Sequence, residues 1–277
     1  MYSGNTGTLP YSGDSKNNGG PMGLMEGKKG IIFGVANERS IAWACAKELI
    51  QGGGEVAFTY QNEIFEKRVR PLAESVKAKI VEPCDVNKDE QVEAVFKKVG
   101  DEFHGLDFMI HSIAFADKND LSGRYIDTSR EGFLKAMEVS VYSLTLLCRY
   151  AEPLMKGRNG SIVTLTYYGS EKVIYNYNVM GVAKAGLEAS VRYLASDMGQ
   201  GGTRVNAISA GPIRTLAASG ISGLRTILEL CSEKSPLKRS IAAEEVGKTA
   251  LYLCSNLSSG VTGEIIYVDA GYNIMGV

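Results

Sequence analysis

The stretch Tyr167-Tyr-Gly-Ser-Glu-Lys-Val-Ile-Tyr-Asn-Tyr-Asn-Val-Met-Gly-Val-Ala-Lys-Ala-Gly-Leu-Glu-Ala-Ser-Val-Arg-Tyr-Leu194 decides how the chain is read. From Asn178 onward, Val179, Val182, Ala183, Leu187, Ser190, Val191 and Leu194 recur at spacings of three and four, which predicts a helix. Just upstream, Gly160-Ser-Ile-Val-Thr-Leu-Thr-Tyr167 predicts a strand. That strand delivers Tyr167 and Tyr168 at its C-terminal end, the edge where open α/β sheets bind ligands. Tyr177 and Lys184 are seven residues apart. Seven steps of roughly 100° return to nearly the same helix face, about 10 Å along the axis. A phenol titrates near ~10. A nearby cation favours phenolate, so the pair could give or hold a proton on a substrate oxygen. The plainer alternative is that both residues only pack and solvate an amphipathic helix.

Working outward, strands and helices alternate. Lys29-Gly-Ile-Ile-Phe-Gly-Val-Ala36 is an apolar strand followed by a turn, and a helix runs from about Ile41 to Gln51, ended by Gly52, Gly53 and Gly54. Strand, glycine turn and helix open a dinucleotide-binding unit. The Gly-x-Gly-x-x-Gly pattern is absent: Gly34 remains, with Ser40 where the helix begins. Backbone N–H groups at a helix start bind phosphate, and the Ser40 hydroxyl could add a donor. Alternatively, Gly34 only makes a turn and Ser40 only caps a helix.

Glu55-Val-Ala-Phe-Thr-Tyr-Gln61 is the second strand, and its end reaches an adenine ribose in this fold. Neutral Gln61 stands there, with Glu63 nearby to repel a 2′-phosphate. A helix from Glu63 to Val76 is interrupted by Pro71, and Lys79 to Val86 is the third strand. Asp85 could accept from an adenine amino group, with Val86 against the ring; it could equally cap the next helix. Asp89 to Phe103 reads as a helix and Leu106 to Ile113 as the fourth strand, in which His111 reads as a packed histidine. Residues 114–128 read as a loop, Ser129 to Met155 as one long helix, and Thr203 to Pro212 as a sixth strand with its turn. Ile213 to Ser235 reads as a lid or binding loop, Ala243 to Ser255 as the last long helix, and Gly263 to Asp269 as a final strand. The pattern predicts a Rossmann-like, doubly wound parallel α/β sheet of about seven strands in a single domain. Residues 1–25 read as a flexible leader and 26–277 as that domain.

The 277 residues carry a net charge of −1, which supplies no field toward nucleic acid or an anionic membrane. Hydrophobic content of 44% with no long apolar run fits a soluble globular protein. Five widely spaced cysteines without Cys-x-x-Cys point to reduced thiols in a cytoplasmic protein, and two histidines are too few for a histidine-rich metal site.

These residues resemble a known family. The sheet, the strand-end tyrosine and the helix lysine look like the short-chain dehydrogenase/reductase superfamily, except that Met180 stands where its common Tyr-x-x-x-Lys has tyrosine. The spacing in Tyr177-Asn-Val-Met-Gly-Val-Ala-Lys184 resembles the divergent branch that contains NADH-dependent enoyl-acyl-carrier-protein reductases of bacterial fatty-acid synthesis. Gly34-Val-Ala with Ser40-Ile41-Ala42, Phe58-Thr-Tyr-Gln61, Cys84-Asp-Val86, His111-Ser-Ile-Ala-Phe-Ala116 and Arg204 to Ala218 are similar to blocks of that branch. The resemblance implies that Tyr177 bonds a thioester carbonyl, Lys184 holds the nicotinamide ribose, and Tyr167 is a second active-site tyrosine. It implies NADH contacts at Gly34, Ser40, Ile41, Gln61, Asp85, Val86, Ile113, Ile213, Arg214, Thr215, Leu216 and Ala217, and a substrate contact at Ala116. It further implies an acyl carrier protein as partner, a homotetramer and no metal. Tyr175 departs from the proline of many relatives. A 3-oxoacyl reductase and a catalytically silent nucleotide-sensing module stay open as alternatives; the first lacks its Tyr-x-x-x-Lys here, and the second predicts loss of Tyr177 or Lys184.

Overall fold

The structure is a computed structural model that describes residues 23–216 and 223–276. The proposed leader up to residue 22 and Ala217 lie outside the described residues. Seven strands form one parallel sheet: β1 Lys29–Phe33, β2 Glu55–Tyr60, β3 Val81–Pro83, β4 Phe108–His111, β5 Ser161–Thr166, β6 Arg204–Ala210 and β7 Ile265–Val268. Their order is β3-β2-β1-β4-β5-β6-β7. The chain steps outward from β1 to β3, then crosses back to lay β4 on the other side of β1, so the order reverses between β1 and β4. Open sheets bind ligands outside the strand C-termini at such a reversal, where the connections leave in opposite directions.

The helices follow from apolar periodicity: α1 Ile41–Gln51, α2 Glu63–Ser75, α3 Asp89–Phe103, α4 Lys118–Leu121, α5 Arg130–Met137, α6 Ser143–Met155, α7 Asn178–Gly199, α8 Leu224–Lys234 and α9 Ala243–Cys254. One core, with Ile31, Met109, Ile162 and Val205 from the sheet, joins α3, α6 and α7; the other, with Ile32, Phe58, Ile110, Val163 and Ile208, joins α1 and α9. Alternate residues of one strand thus feed opposite cores, which is why β4 and β5 are buried along their whole length. Met25 already belongs to this core, fully buried with its N–H on Gly52 O at 2.8 Å.

Three expectations are corrected. Pro71 does not interrupt α2, because the proline sits on the exposed side where its missing N–H costs little burial. The long helix after Ser129 is α5 and α6 joined by a π turn over Glu138–Tyr142. The 114–128 loop contains α4 and a 3₁₀ turn at Tyr125–Asp127, started by Asp117, whose carboxylate accepts from Asn119 N–H at 2.9 Å.

Candidate active site

β5 ends at Thr166, and Tyr167 continues extended at the sheet's C-terminal edge. The chain returns through Asn176-Tyr177-Asn178, where both asparagines have left-handed φ of 61° and 34°. Asparagine tolerates that region better than most side chains, so the pair can turn Tyr177 inward at the start of α7. The Tyr177 ring lies edge-on to Tyr167 with centroids 5.0 Å apart. Gly169 makes this possible: a Cβ there would stand 2.6 Å from the Tyr177 ring. Tyr175 is 86% exposed.

Lys184 reaches from α7 to β5, donating from Nζ to Leu165 O at 2.8 Å. That acceptor takes one of the three ammonium donors. Burial lowers the Lys184 pKa to about 8, with Glu188 pulling the other way. Of the two options left open for Tyr177, giving a proton or holding one, burial favours holding it. Burial pushes its pKa up, and Tyr167 and Glu188 push in the same direction. Tyr177 is therefore a neutral hydrogen-bond donor. Tyr167 is raised as well, first by burial and then by Cys231 and Tyr272. Cys231 belongs to α8, so α8 borders the tyrosine pair.

On the neighbouring strand His111 is fully buried, its Nδ1 2.7 Å from Thr164 Oγ1 and its Nε2 2.9 Å from Ser143 Oγ. Burial, with the Lys184 charge, lowers its pKa to about 3. It is the packed, neutral strand histidine expected from sequence.

At the reversal between β1 and β4, Gly34 follows β1 with φ +94°, and a Cβ there would stand 2.0 Å from Ser112 O at the end of β4. Only glycine lets these strand ends meet this closely. Ser40 precedes α1 without capping it, and its hydroxyl can still donate to a phosphate. Its Oγ accepts from Ala36 N at 2.9 Å and Asn37 N at 3.0 Å, so the hydroxyl shapes the turn, and it makes no side-chain cap. The amides that open α1, including that of Ile41, occupy positions without an intrahelical acceptor and suit an anion. The structure thus offers a glycine turn and a helix start at the strand ends that suit a dinucleotide.

The remaining expected contacts fall around the same edge. Gln61 is exposed beyond β2, Val86 is buried beyond β3, and Ile113 and Ala116 are half-buried beyond β4. Asp85 neither caps a helix nor points freely outward, since its Oδ1 accepts from Asn87 N and Nδ2 at 3.1 and 2.9 Å. Beyond β6, Ile213 and Thr215 are half-buried, Arg214 and Leu216 exposed. An open hollow of about 620 Å³ involves Arg214 with Leu228, Ser232 and Lys238. Tyr167, Tyr177 and Lys184 do not line it. The lid or binding loop expected over Ile213 to Ser235 is described at 213–216 and 223–235, the latter holding α8, while 217–222 lie outside the described residues.

Sequence reading missed two features. Ser140, in the π turn and fully buried, accepts from Phe115 N at 3.0 Å and donates to Phe115 O at 3.1 Å, fixing the segment between Ile113 and Ala116. Glu188 lies one turn beyond Lys184 and accepts from Thr166 Oγ1 at 2.6 Å. The spacing Lys184–Glu188 on one helix face was the available signal. Among the described residues no cluster of His, Cys, Asp and Glu could hold a metal ion, and no helix is long and apolar enough to cross a membrane.

Comparison with known proteins gives the family of the chain. Residues 34–273 match the family model described as Enoyl-(Acyl carrier protein) reductase. The chain is 55% identical over 255 residues to NADH enoyl-acyl-carrier-protein reductase 1 of Rhizobium meliloti (strain 1021), covering 92% of this chain and 93% of that one. It is similar to the enoyl-acyl-carrier-protein reductase of Anaplasma phagocytophilum solved with NAD, with 55% identity, TM-score 0.89 and coverage of 92% and 97%. It is also similar to the Bacillus cereus enoyl-acyl-carrier-protein reductase solved with NADP+ and indole naphthyridinone, with 51% identity, TM-score 0.90 and coverage of 92% and 100%.

Proposed function

The chain belongs to the enoyl-acyl-carrier-protein reductase family, and from that premise we propose how its residues reduce the trans-2 double bond of an enoyl thioester in the fatty-acid elongation cycle. The observation that carries the reading is the convergence of Tyr167, Tyr177 and Lys184 at the C-terminal end of β5. NADH, when bound, supplies the hydride for C3 of the enoyl group. Gly34, Ile41, Gln61, Asp85, Val86, Ile113 and the Ile213–Leu216 segment line its path, with Ala217 continuing that segment and Ser40 holding the turn in shape.

Lys184 holds the nicotinamide ribose with its remaining donors and supplies a positive field. Tyr177 keeps its proton and directs the O–H at the thioester oxygen, where negative charge builds as C3 gains hydride; the enolate then takes a proton from solvent at C2, and the thioester carbonyl re-forms. A buried neutral phenol suits this task, since its hydrogen bond strengthens as the oxygen becomes an enolate. Tyr167 braces the Tyr177 ring edge-on and excludes water from the same spot. Ser140 fixes the Phe115 backbone and so positions Ala116 against the acyl chain.

The acyl group arrives on an acyl carrier protein. The protein works in the cytoplasm, which the five buried free cysteines support. The chain from Leu24 onward acts as one domain, beginning before the boundary expected at residue 26, and assembles as a homotetramer, with exposed Leu134 and Tyr193 giving apolar surface for other copies to cover. Oxidation of NADH in the presence of a crotonyl thioester tests the activity. The expected result is stoichiometric loss of NADH and of the double bond. Reduction of a 3-oxoacyl thioester instead would favour the carbonyl-reductase reading.

A further inference from the structure

Two charged side chains lie buried one turn apart on α7: Lys184 is 6% exposed and Glu188 is 7% exposed. Both reach the end of β5. Lys184 donates to Leu165 O, and Glu188 accepts from Thr166 Oγ1. Leu165, Thr166 and Tyr167 are consecutive, so two α7 side chains grip the strand end from which the active-site tyrosine projects.

The Glu188 carboxylate bonds the strand and acts on the ammonium through space. Burial alone works against the Lys184 charge, and Glu188 is the group that opposes this effect. The other titratable groups around it bring no counter-charge. His111, facing from β4, is held neutral. Tyr167 and Tyr177 are held protonated by burial. Tyr267, on β7, is raised by burial, by its hydrogen bond to Glu171 and by Glu188. Glu171 is exposed and engaged by Tyr267.

We propose that Glu188 is a positioning residue for the reduction: its buried carboxylate supplies the counter-charge that keeps the Lys184 ammonium intact at the cofactor, and its bond from Thr166 sets the strand end that carries Tyr167. The inference rests on the assignment of Lys184 to the cofactor made above. A purely structural Glu188 would be a staple between α7 and β5 and nothing more. Two substitutions separate these roles. Glu188→Gln keeps an oxygen to accept from Thr166 while removing the charge. Thr166→Val removes the donor while keeping the charge.

The experiment uses the full chain, unaltered and with Glu188→Gln, Glu188→Asp or Thr166→Val, and follows NADH affinity by fluorescence across about pH 6 to 10. The affinity of the unaltered protein falls as pH rises through about 8, where Lys184 loses its proton. Glu188→Gln moves that midpoint down by on the order of one unit, so affinity near pH ~8 drops about 3- to 10-fold while at pH ~6 it changes less than about twofold. Glu188→Asp restores most of the midpoint, and Thr166→Val leaves it in place. The Lys184 side chain is also titrated directly by carbon NMR, its signal assigned by its loss in Lys184→Ala; this readout needs no thioester. An unmoved Lys184 midpoint in Glu188→Gln overturns the role of Glu188 and leaves the proposed function standing. If Glu188→Gln does not fold, Thr166→Val decides: a midpoint shift there shows that the strand bond, not the charge, sets Lys184, and the inference fails. Failure of the unaltered protein to reduce any enoyl thioester sinks the proposed function alone.

Discussion

Tyr177 stands edge-on to Tyr167, with ring centroids 5.0 Å apart and planes at 75°. One ring comes from the end of β5 and the other from the start of α7, so the pair joins the two elements as well as forming the site. Tyr177→Phe keeps that contact and deletes only the hydroxyl. We expect kcat to fall about 10- to 10³-fold, the span associated with losing one donor to a developing oxyanion. NADH affinity should stay within a few-fold, because the hydroxyl acts on the enolate. Fluorescence titration of NADH with steady-state thioester reduction reads both quantities. Full kcat in this variant removes Tyr177 from the chemistry. Loss of NADH binding instead places it in the cofactor pocket and leaves Tyr167 as the better donor.

Lys184→Ala should fail differently. Its ammonium is charged below about pH 8 and loses its proton above. Binding that depends on the charge is therefore present at low pH and lost as pH rises through that value. We expect Lys184→Ala to bind NADH at least about tenfold more weakly at pH 7, in line with the loss of a charge-assisted bond, and to show no fall in affinity around pH 8. Retention of that fall would mean another group titrates at the cofactor.

The proposed site of cofactor choice is the end of β2. Gln61 and Glu63 are both exposed there, one neutral and one acidic. Neither offers a cation to a 2′-phosphate, and Glu63 repels it. We expect kcat/KM for NADH to exceed that for NADPH by at least about tenfold, roughly 1.4 kcal/mol of discrimination. The Bacillus cereus neighbour was solved with NADP+, so the measurement is informative in both directions. Equal use of the two cofactors would exclude Gln61 and Glu63 as the discriminating residues.

The turn after β1 makes the sharpest steric test. Gly34 has φ +94°, and a Cβ would be driven to 2.0 Å from Ser112 O. The clash is with backbone, which cannot swing aside. Gly34→Ala must part the ends of β1 and β4 or distort the turn held by Ser40. Destabilisation of about 3 kcal/mol or more is expected, as overpacking and forbidden φ act together. Urea unfolding with NADH titration checks it. A variant that melts and binds as before would show that the strand ends do not meet as described.

What the sequence made legible was whatever depends on local pattern. The runs around Ile31, Phe58, Ile110 and Val163 feed cores on both sheet faces and so read as uninterrupted apolar strands. Tyr177 and Lys184 stood out because their spacing places them on one helix face. The side chains that position them did not stand out, because their partners are distant in sequence. Ser140 meets Phe115 across 25 residues and Glu188 meets Thr166 across 22. The π turn that presents Ser140 has no signature in apolar periodicity, since one inserted residue shifts a face without changing composition. Whether Tyr177 gives or holds its proton could not be read from the sequence for a related reason. Spacing reports a nearby cation, whereas burial, which decides the sign here, is a property of the folded state.

His111 gives the test that involves no substrate. It is fully buried between Thr164 of β5 and Ser143 of α6, bonded to both hydroxyls, and its pKa is lowered to about 3. In the unfolded chain the same side chain titrates near ~6.5. Between these values the unfolded chain binds a proton that the native state refuses, so stability must fall as pH falls from about 6.5 toward 3. The slope from this residue approaches about 1.4 kcal/mol per pH unit in the middle of that window. His111→Gln lacks this titration. It should be less stable than the unaltered protein at pH 7, by about 1–3 kcal/mol, because the amide cannot reach both hydroxyls in the ring's geometry. Lowering the pH should then narrow the gap, since the unaltered protein alone carries the histidine penalty. Carboxylates titrate in both proteins and cancel in the difference. Urea unfolding at about pH 7, 6, 5 and 4 gives that difference directly. A gap that stays constant across the series would mean that His111 takes up a proton in the folded protein, and that its bonds to Thr164 and Ser143 do not hold it neutral.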